Sequence, residues 1–146
     1  MIRRELEVPL SIERAFALFT ERVDAWWPSG HRVSGEDESV MALELGPDGR
    51  LFERTRSGRE IVYARIVALE APRLITYDWF LGTGPDMPTR VEVRFSPTDR
   101  GTRVEIAHGP GACEPDRFER SAPRFVEGWR RIAEALSARA LADLDT

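Results

Sequence analysis

Apolar and polar residues alternate strictly through two adjoining stretches, 89–95 (Val91, Val93 and Phe95 against Arg90, Glu92 and Arg94) and 102–108 (Val104 and Ile106 against Arg103 and Glu105). Period-two alternation puts every second side chain on one side of an extended chain, so these stretches predict two strands sharing an oily face. Residues 97–101, rich in turn formers, predict the tight connection between them. The same parity sends His108 to the oily side. Further on, Phe125, Trp129, Ile132, Ala133, Leu136 and Ala140 recur at helical spacing, with Glu127, Arg130, Arg131 and Glu134 facing away. Proline is comfortable in a first turn and costs ~3 kcal/mol inside a helix. Pro123 therefore predicts a helix starting near Ser121, with 115–120 as a separate turn. An oily helix that follows an oily hairpin has to close over it.

The rest of the chain supplies more strands. Leu6 and Val8 alternate with Glu5 and Glu7, which predicts a first strand over 3–9. Ser11 offers an N-cap oxygen and Glu13 suits the first-turn dipole, and Ile12, Ala15, Phe16 and Phe19 complete a short amphipathic helix. A second helical turn over 23–28 is stopped by Pro28, and the polar stretch 29–38 reads as a loop. From Val40 the period returns to two. Strands over 40–45 and 50–56 flank Gly46-Pro47-Asp48-Gly49, a hairpin signal. Residues 60–69 are apolar at nearly every position and predict a central strand covered on both faces, followed by another over 74–81. The pattern amounts to an α+β fold: seven antiparallel strands curved around a long C-terminal helix, with two short helices between the first strand and the second.

Length and composition narrow the class. A chain of 146 residues reads as one domain over 1–146. With 42% hydrophobic and 32% charged residues it is expected to fold rather than stay disordered. No apolar run approaches the ~20 residues of a membrane span, and no apolar signal core follows Arg3 and Arg4, so a cytoplasmic protein without membrane attachment is expected. The net charge of −4 argues against nucleic acid as a partner. Every basic residue is arginine, interleaved with acids along the strands. The lone Cys113 has no partner for an internal disulfide, and two distant histidines with one cysteine are too few for a metal site. No phosphate loop, nucleophile elbow or cofactor motif occurs.

Several stretches, weak singly and strong in this order, carry a family pattern. They are Ala15-Phe16, Trp26-Trp27-Pro28, Glu70-Ala71-Pro72, Ile75-Thr76-Tyr77-Asp78-Trp79, Thr89-Arg90-Val91, Gly101-Thr102-Arg103-Val104, His108-Gly109 and Gly128-Trp129. The chain resembles the family named after the C-terminal domain of the activator of the heat-shock protein 90 ATPase, within the helix-grip superfamily of START and birch-pollen-allergen proteins. That resemblance implies the same fold and three classes of role. The first is binding of a small hydrophobic or amphipathic molecule in an internal apolar cavity. The second is a chaperone-associated interaction module. The third is an enzyme of the cyclase or hydrolase sort known in the wider superfamily. Whether the chain is a monomer or a homodimer is left open.

Candidate site residues follow from parity and aromatic content. Val93, Phe95, Ile106 and His108 share the hairpin's inner face; Tyr77 and Trp79 share that of the neighbouring strand; Phe125 and Trp129 come from the helix. On 60–69 the inner face is expected to be Val62, Ala64, Ile66 and Ala68, small residues that leave room. Trp26 and Trp27 end a helix beside a loop, and one is expected to be buried and the other to stand at a pocket rim. For catalysis the candidates are His108, whose titration near neutrality suits acid–base work, and Glu53 as an acidic partner. Period alone does not decide whether Glu53 and Thr55 or Arg54 and Arg56 point inward. His31, in the polar loop, is expected to be solvated. A dry void of ~300 Å³ would cost ~7 kcal/mol, so a large cavity must be wet, occupied or closed by collapse of the aromatics.

Overall fold

The computed structural model describes residues 1–144. The elements run β1 (Ile2–Val8), α1 (Ile12–Phe19), α2 (Val23–Trp26), a 3-10 turn (Ser29–His31), β2 (Val40–Leu43), β3 (Arg50–Arg54), β4 (Glu60–Glu70), β5 (Leu74–Trp79), β6 (Thr89–Thr98), β7 (Gly101–Gly109) and α3 (Pro115–Asp143). All seven strands form one antiparallel sheet in the order β1-β7-β6-β5-β4-β3-β2. Neighbours after β1 are consecutive hairpins, so the sheet is a meander whose first strand has joined its last. The ladder stops at β1 on one side and at β2 on the other. The curled sheet holds α3 against its inner face: this is the helix-grip fold.

Local sequence explains the pieces that seat the core. Ser11 caps α1 by accepting from the Arg14 amide at 3.3 Å, and the helix buries Ala15, Phe16, Leu18 and Phe19. Phe16 and Phe19 meet the Phe95 ring edge-on at 5.2 and 5.6 Å. The far end of α3 is fastened to α1 and the turn after it at Asp143, whose carbonyl receives Arg14 of α1 at 2.9 Å and whose carboxylate receives Arg22 at 2.7 Å. On the outer face Asp78 bridges Arg65 and Arg90, and Phe52 is buried beneath the guanidinium groups of Arg50 and Arg54.

The structure corrects several expectations. Helix α3 is continuous from Pro115 and does not start near Ser121. Pro115 occupies the first turn, and Pro123 lies on the exposed side, where its missing N–H frees a carbonyl on the exposed Glu119 that water can satisfy. Burial of Phe118 and Ser121 holds the first turns in line. The turn between β6 and β7 is also tighter than 97–101: Thr98 pairs with Gly101, so Asp99 and Arg100 alone make it. Pro97 is tolerated within β6 because Phe95 directs its amide toward Arg73. The proline nitrogen, of the same parity, faces that side too, beyond the last β5 partner at Arg94.

Strand β4 departs most. It is not covered on both faces, since Arg65, Val67 and Ala68 are exposed. Two bulges interrupt its alternation. Leu51 pairs with Ala64 while Phe52 pairs with Val62, which leaves Tyr63 as an extra residue. Ile66 pairs with Tyr77 while Ala68 pairs with Thr76, which leaves Val67 as another. Each extra residue reverses the parity. The inner face therefore carries Tyr63, Ala64, Ile66 and, packed against the core, Ile61 and Leu69, rather than Val62 and Ala68.

Candidate functional site

The interior is crossed by one polar line. His108, 0% exposed, accepts from the Trp129 indole N–H at its Nδ1, 2.9 Å away. An indole nitrogen can only donate, so Nδ1 is bare and the ring hydrogen sits on Nε2. Nε2 then donates to Thr89 Oγ1 at 2.7 Å, and that hydroxyl turns its own hydrogen toward the Trp79 carbonyl at 3.4 Å. Phe125 and Phe118 flank the imidazole, with centroids 4.3 and 5.4 Å away. Burial pushes the His108 pKa down to about 4. The ring is therefore neutral near physiological pH, with both nitrogens engaged: it ties β7 and β6 to α3.

Around this line the grip is nearly full. The void enclosed by Phe19, Trp26, Leu51, Tyr77, Trp79 and Trp129 amounts to about 10 Å³, at the lower limit for one water molecule. Trp79 and Trp129 lie against each other at 5.2 Å. A cleft of about 170 Å³ opens to solvent at one end of the grip. Trp79, Leu81, Phe125, Trp129 and Ile132 give it apolar walls, and His31 and Arg124 stand in it as the polar groups. Two glycines shape it. At Gly82, φ is +90° and a Cβ would strike the Phe125 ring at 2.9 Å. At Gly128 a Cβ would stand 3.2 Å from His31 Nε2, so its absence lets the imidazole rest on α3.

The wall carrying His31 is fixed from beneath. Trp26 and Trp27 are both buried, 5% and 4% exposed, against the expectation that one would stand at a rim. Trp27 leaves the helix with extended backbone, which turns its side chain inward beside its neighbour's. Each indole finds a carbonyl: Trp26 donates to Leu18 at 2.7 Å, and Trp27 to His31 at 3.2 Å. His31 is accordingly half-buried rather than solvated, its ring 6.2 Å from that of Trp27. Burial, and then the charge of Arg131, lowers its pKa. Arg32 braces the same segment through the carbonyls of Trp27 and Ser39.

Glu53 anchors the segment as well. Glu53 of β3 and Thr55 just beyond it are the pair that points inward, and Glu53 is 0% exposed. Its partners are not arginines. Tyr63 donates its hydroxyl at 2.7 Å, the Ser34 amide donates at 3.2 Å, and the Ser34 hydroxyl donates to the second oxygen. Burial opposes the charge, yet donors from Ser34, Tyr63 and Ser39 outweigh it and hold the carboxyl below its ordinary pKa. Glu53→Gln keeps the shape and loses the charge, with an expected cost of ~1 kcal/mol, whereas Glu53→Leu strands the Tyr63 and Ser34 donors at ~3 kcal/mol. Urea unfolding of the two variants checks the order.

Trp79, Phe125 and Trp129 thus line the cleft directly. His108 stands behind them. Tyr77, Trp26 and Trp27 border the small closed void, while Val93, Phe95 and Ile106 pack in the core. His108 and Glu53 are not brought into hydrogen bonding; each has its own separate partners. The cleft residues that sequence reasoning missed are His31, Leu81, Gly82, Arg124, Gly128 and Ile132. The pair Gly128-Trp129 was a usable signal for a close approach to α3; nothing in the chain pointed to His31. Among the described residues no three His, Cys, Asp or Glu side chains gather into a possible metal site, and no helix is long and apolar enough to cross a membrane.

A half-barrel gripping a C-terminal helix, with an aromatic cleft at its mouth, defines an α+β domain of the START and birch-pollen-allergen type. The chain belongs to the family of Activator of Hsp90 ATPase homolog 1-like proteins, whose sequence profile matches residues 9–140. No curated protein matches it. Protein MLL2253 from Mesorhizobium loti shares the fold at 17% identity, covering 99% of this chain and 98% of its own with a TM-score of 0.71. The anthrahydroquino-γ-pyrone synthase Txn09 is 29% identical, with 93% and 86% covered and a TM-score of 0.58. DynU16, from the dynemicin biosynthetic locus, is 15% identical with a TM-score of 0.67; the match covers 94% of this chain and 45% of DynU16.

Proposed function

We propose that this domain binds small aromatic molecules, one ring of which enters the cleft between α3 and the loops around His31 and Gly82. The observation that carries the reading is the cleft's makeup: two indoles and a phenyl ring around about 170 Å³ of open room. That volume is close to the ~150 Å³ cavity that accepts a single benzene. The remainder of a larger ligand would lie outside, over the His31 segment. The likeness to a synthase of anthrahydroquino-γ-pyrones supports a polycyclic aromatic class. It does not assign the same reaction: the one buried histidine near the cleft has both nitrogens hydrogen-bonded.

Titration with 2-naphthamide tests this, because two of the chain's four tryptophans wall the cleft and report occupancy by quenching. Binding also raises the melting temperature by mass action. Gly128→Leu fills the cleft and displaces His31, and is expected to abolish quenching and thermal shift while leaving the fold intact by circular dichroism. An unchanged wild-type spectrum and melting temperature across a panel of bicyclic and tricyclic aromatics would overturn the proposal.

A further inference from the structure

Arg124 stands at the mouth of the cleft, its guanidinium making no hydrogen bond or ion pair to any described residue. Of the other arginines on α3, Arg120 is likewise unpaired among the described residues but does not line the cleft, and the rest are engaged. Arg130 and Arg131 are held by Glu127, and Arg130 also by Glu134. Arg117 is held by the Thr83 carbonyl and Met87. The nearest acid one turn along, Glu127, is thus already paired twice. Across the cleft, no described residue hydrogen-bonds the ring nitrogens of His31 either. Its lowered pKa leaves it neutral around neutrality, offering one N–H and one lone pair but no charge. Two unpartnered polar groups facing a ring-sized slot of Trp79, Phe125 and Trp129 describe a ligand with one flat apolar body and one polar edge.

We propose that the cleft prefers planar aromatic acids, Arg124 pairing with an anionic oxygen on the ring's edge and His31 supplying a further hydrogen bond. This rests on the binding proposed above and adds the charge of the ligand to it. A guanidinium suits a carboxylate or ionised phenol because its fork matches two oxygens. Arg124 is exposed, so the preference is moderate and screened by salt.

Fluorescence titration of 2-naphthoate and its neutral isostere 2-naphthamide, near pH 8 and at low salt, provides the test. The acid is expected to bind about five-fold more tightly than the amide, a margin that shrinks on adding about 0.5 M salt. Arg124→Gln is expected to erase the margin between acid and amide. Equal affinities of acid and amide for the wild type would overturn the charge preference and leave aromatic binding standing. A margin that survives in Arg124→Gln would equally overturn it. Failure of both compounds to bind would overturn the aromatic reading itself, and the preference with it.

Discussion

Lowering the pH from about 7 to about 4 is expected to remove on the order of 3 kcal/mol of folding stability through His108 alone. The folded protein holds this ring neutral, with its pKa pushed down to about 4, because it is buried among aromatic side chains. The unfolded chain returns it to its ordinary value near 6.5. The unfolded state therefore takes up a proton that the folded state resists. The contribution is complete above the ordinary value and drains away as pH falls toward the folded one. His31, also lowered, adds in the same direction. The chain has only two histidines, which keeps the assignment clean. Glu53 and Asp143, both held below their ordinary values, extend the loss at still lower pH. Urea unfolding at stepped pH measures the slope. A flat profile between about pH 7 and 5 would contradict the buried neutral ring, and His108→Gln is expected to flatten most of the slope.

Trp129→Ala is expected to destabilise the domain by ~4 kcal/mol, a large share of the total stability of a single domain. The indole contributes twice. Its rings pack against Trp79 and fill the space between sheet and helix, and its N–H is the donor to His108 Nδ1. Trp129→Phe separates the two roles. It keeps most of the volume and leaves Nδ1 buried without a donor, which should cost ~2 kcal/mol. Chemical unfolding of both variants gives the comparison. A Trp129→Ala protein within about 1 kcal/mol of the parent would mean that the core closes over the gap, contrary to the usual cost of such truncations.

Much of the scaffold was written in periodicities. The β6–β7 hairpin obeys its alternation throughout, and so His108 lies on the inner face, as parity required. The stripe on α3 is likewise buried from Trp129 to Ala140 where helical spacing put it, with Phe125 half-buried. Alternation failed at β4, because an extra residue in a ladder leaves no mark in an apolar run: Tyr63 and Val67 look like any other strand residues until their partners are known. Propensity failed at Pro123, whose cost falls where the freed carbonyl is already wet. The cleft was least legible. Trp79, Phe125 and Trp129 could be named from their faces. His31 reaches the cleft only because Trp27 turns inward, Glu53 pins Ser34, and Gly128 is bare, three facts from three separate elements.

The gap between β1 and β2 has a mechanical consequence. A closed cylinder of strands has a circumference set by its hydrogen-bond register and can widen only by tearing rungs. Here the missing staves are replaced by helices, which touch the sheet through side chains rather than through backbone bonds. The width of the mouth can thus vary by turning the side chains around the cleft, while every rung stays intact and α3 stays tied to the sheet through His108. On the binding role proposed above, one rigid set of strands would then admit guests of different thickness.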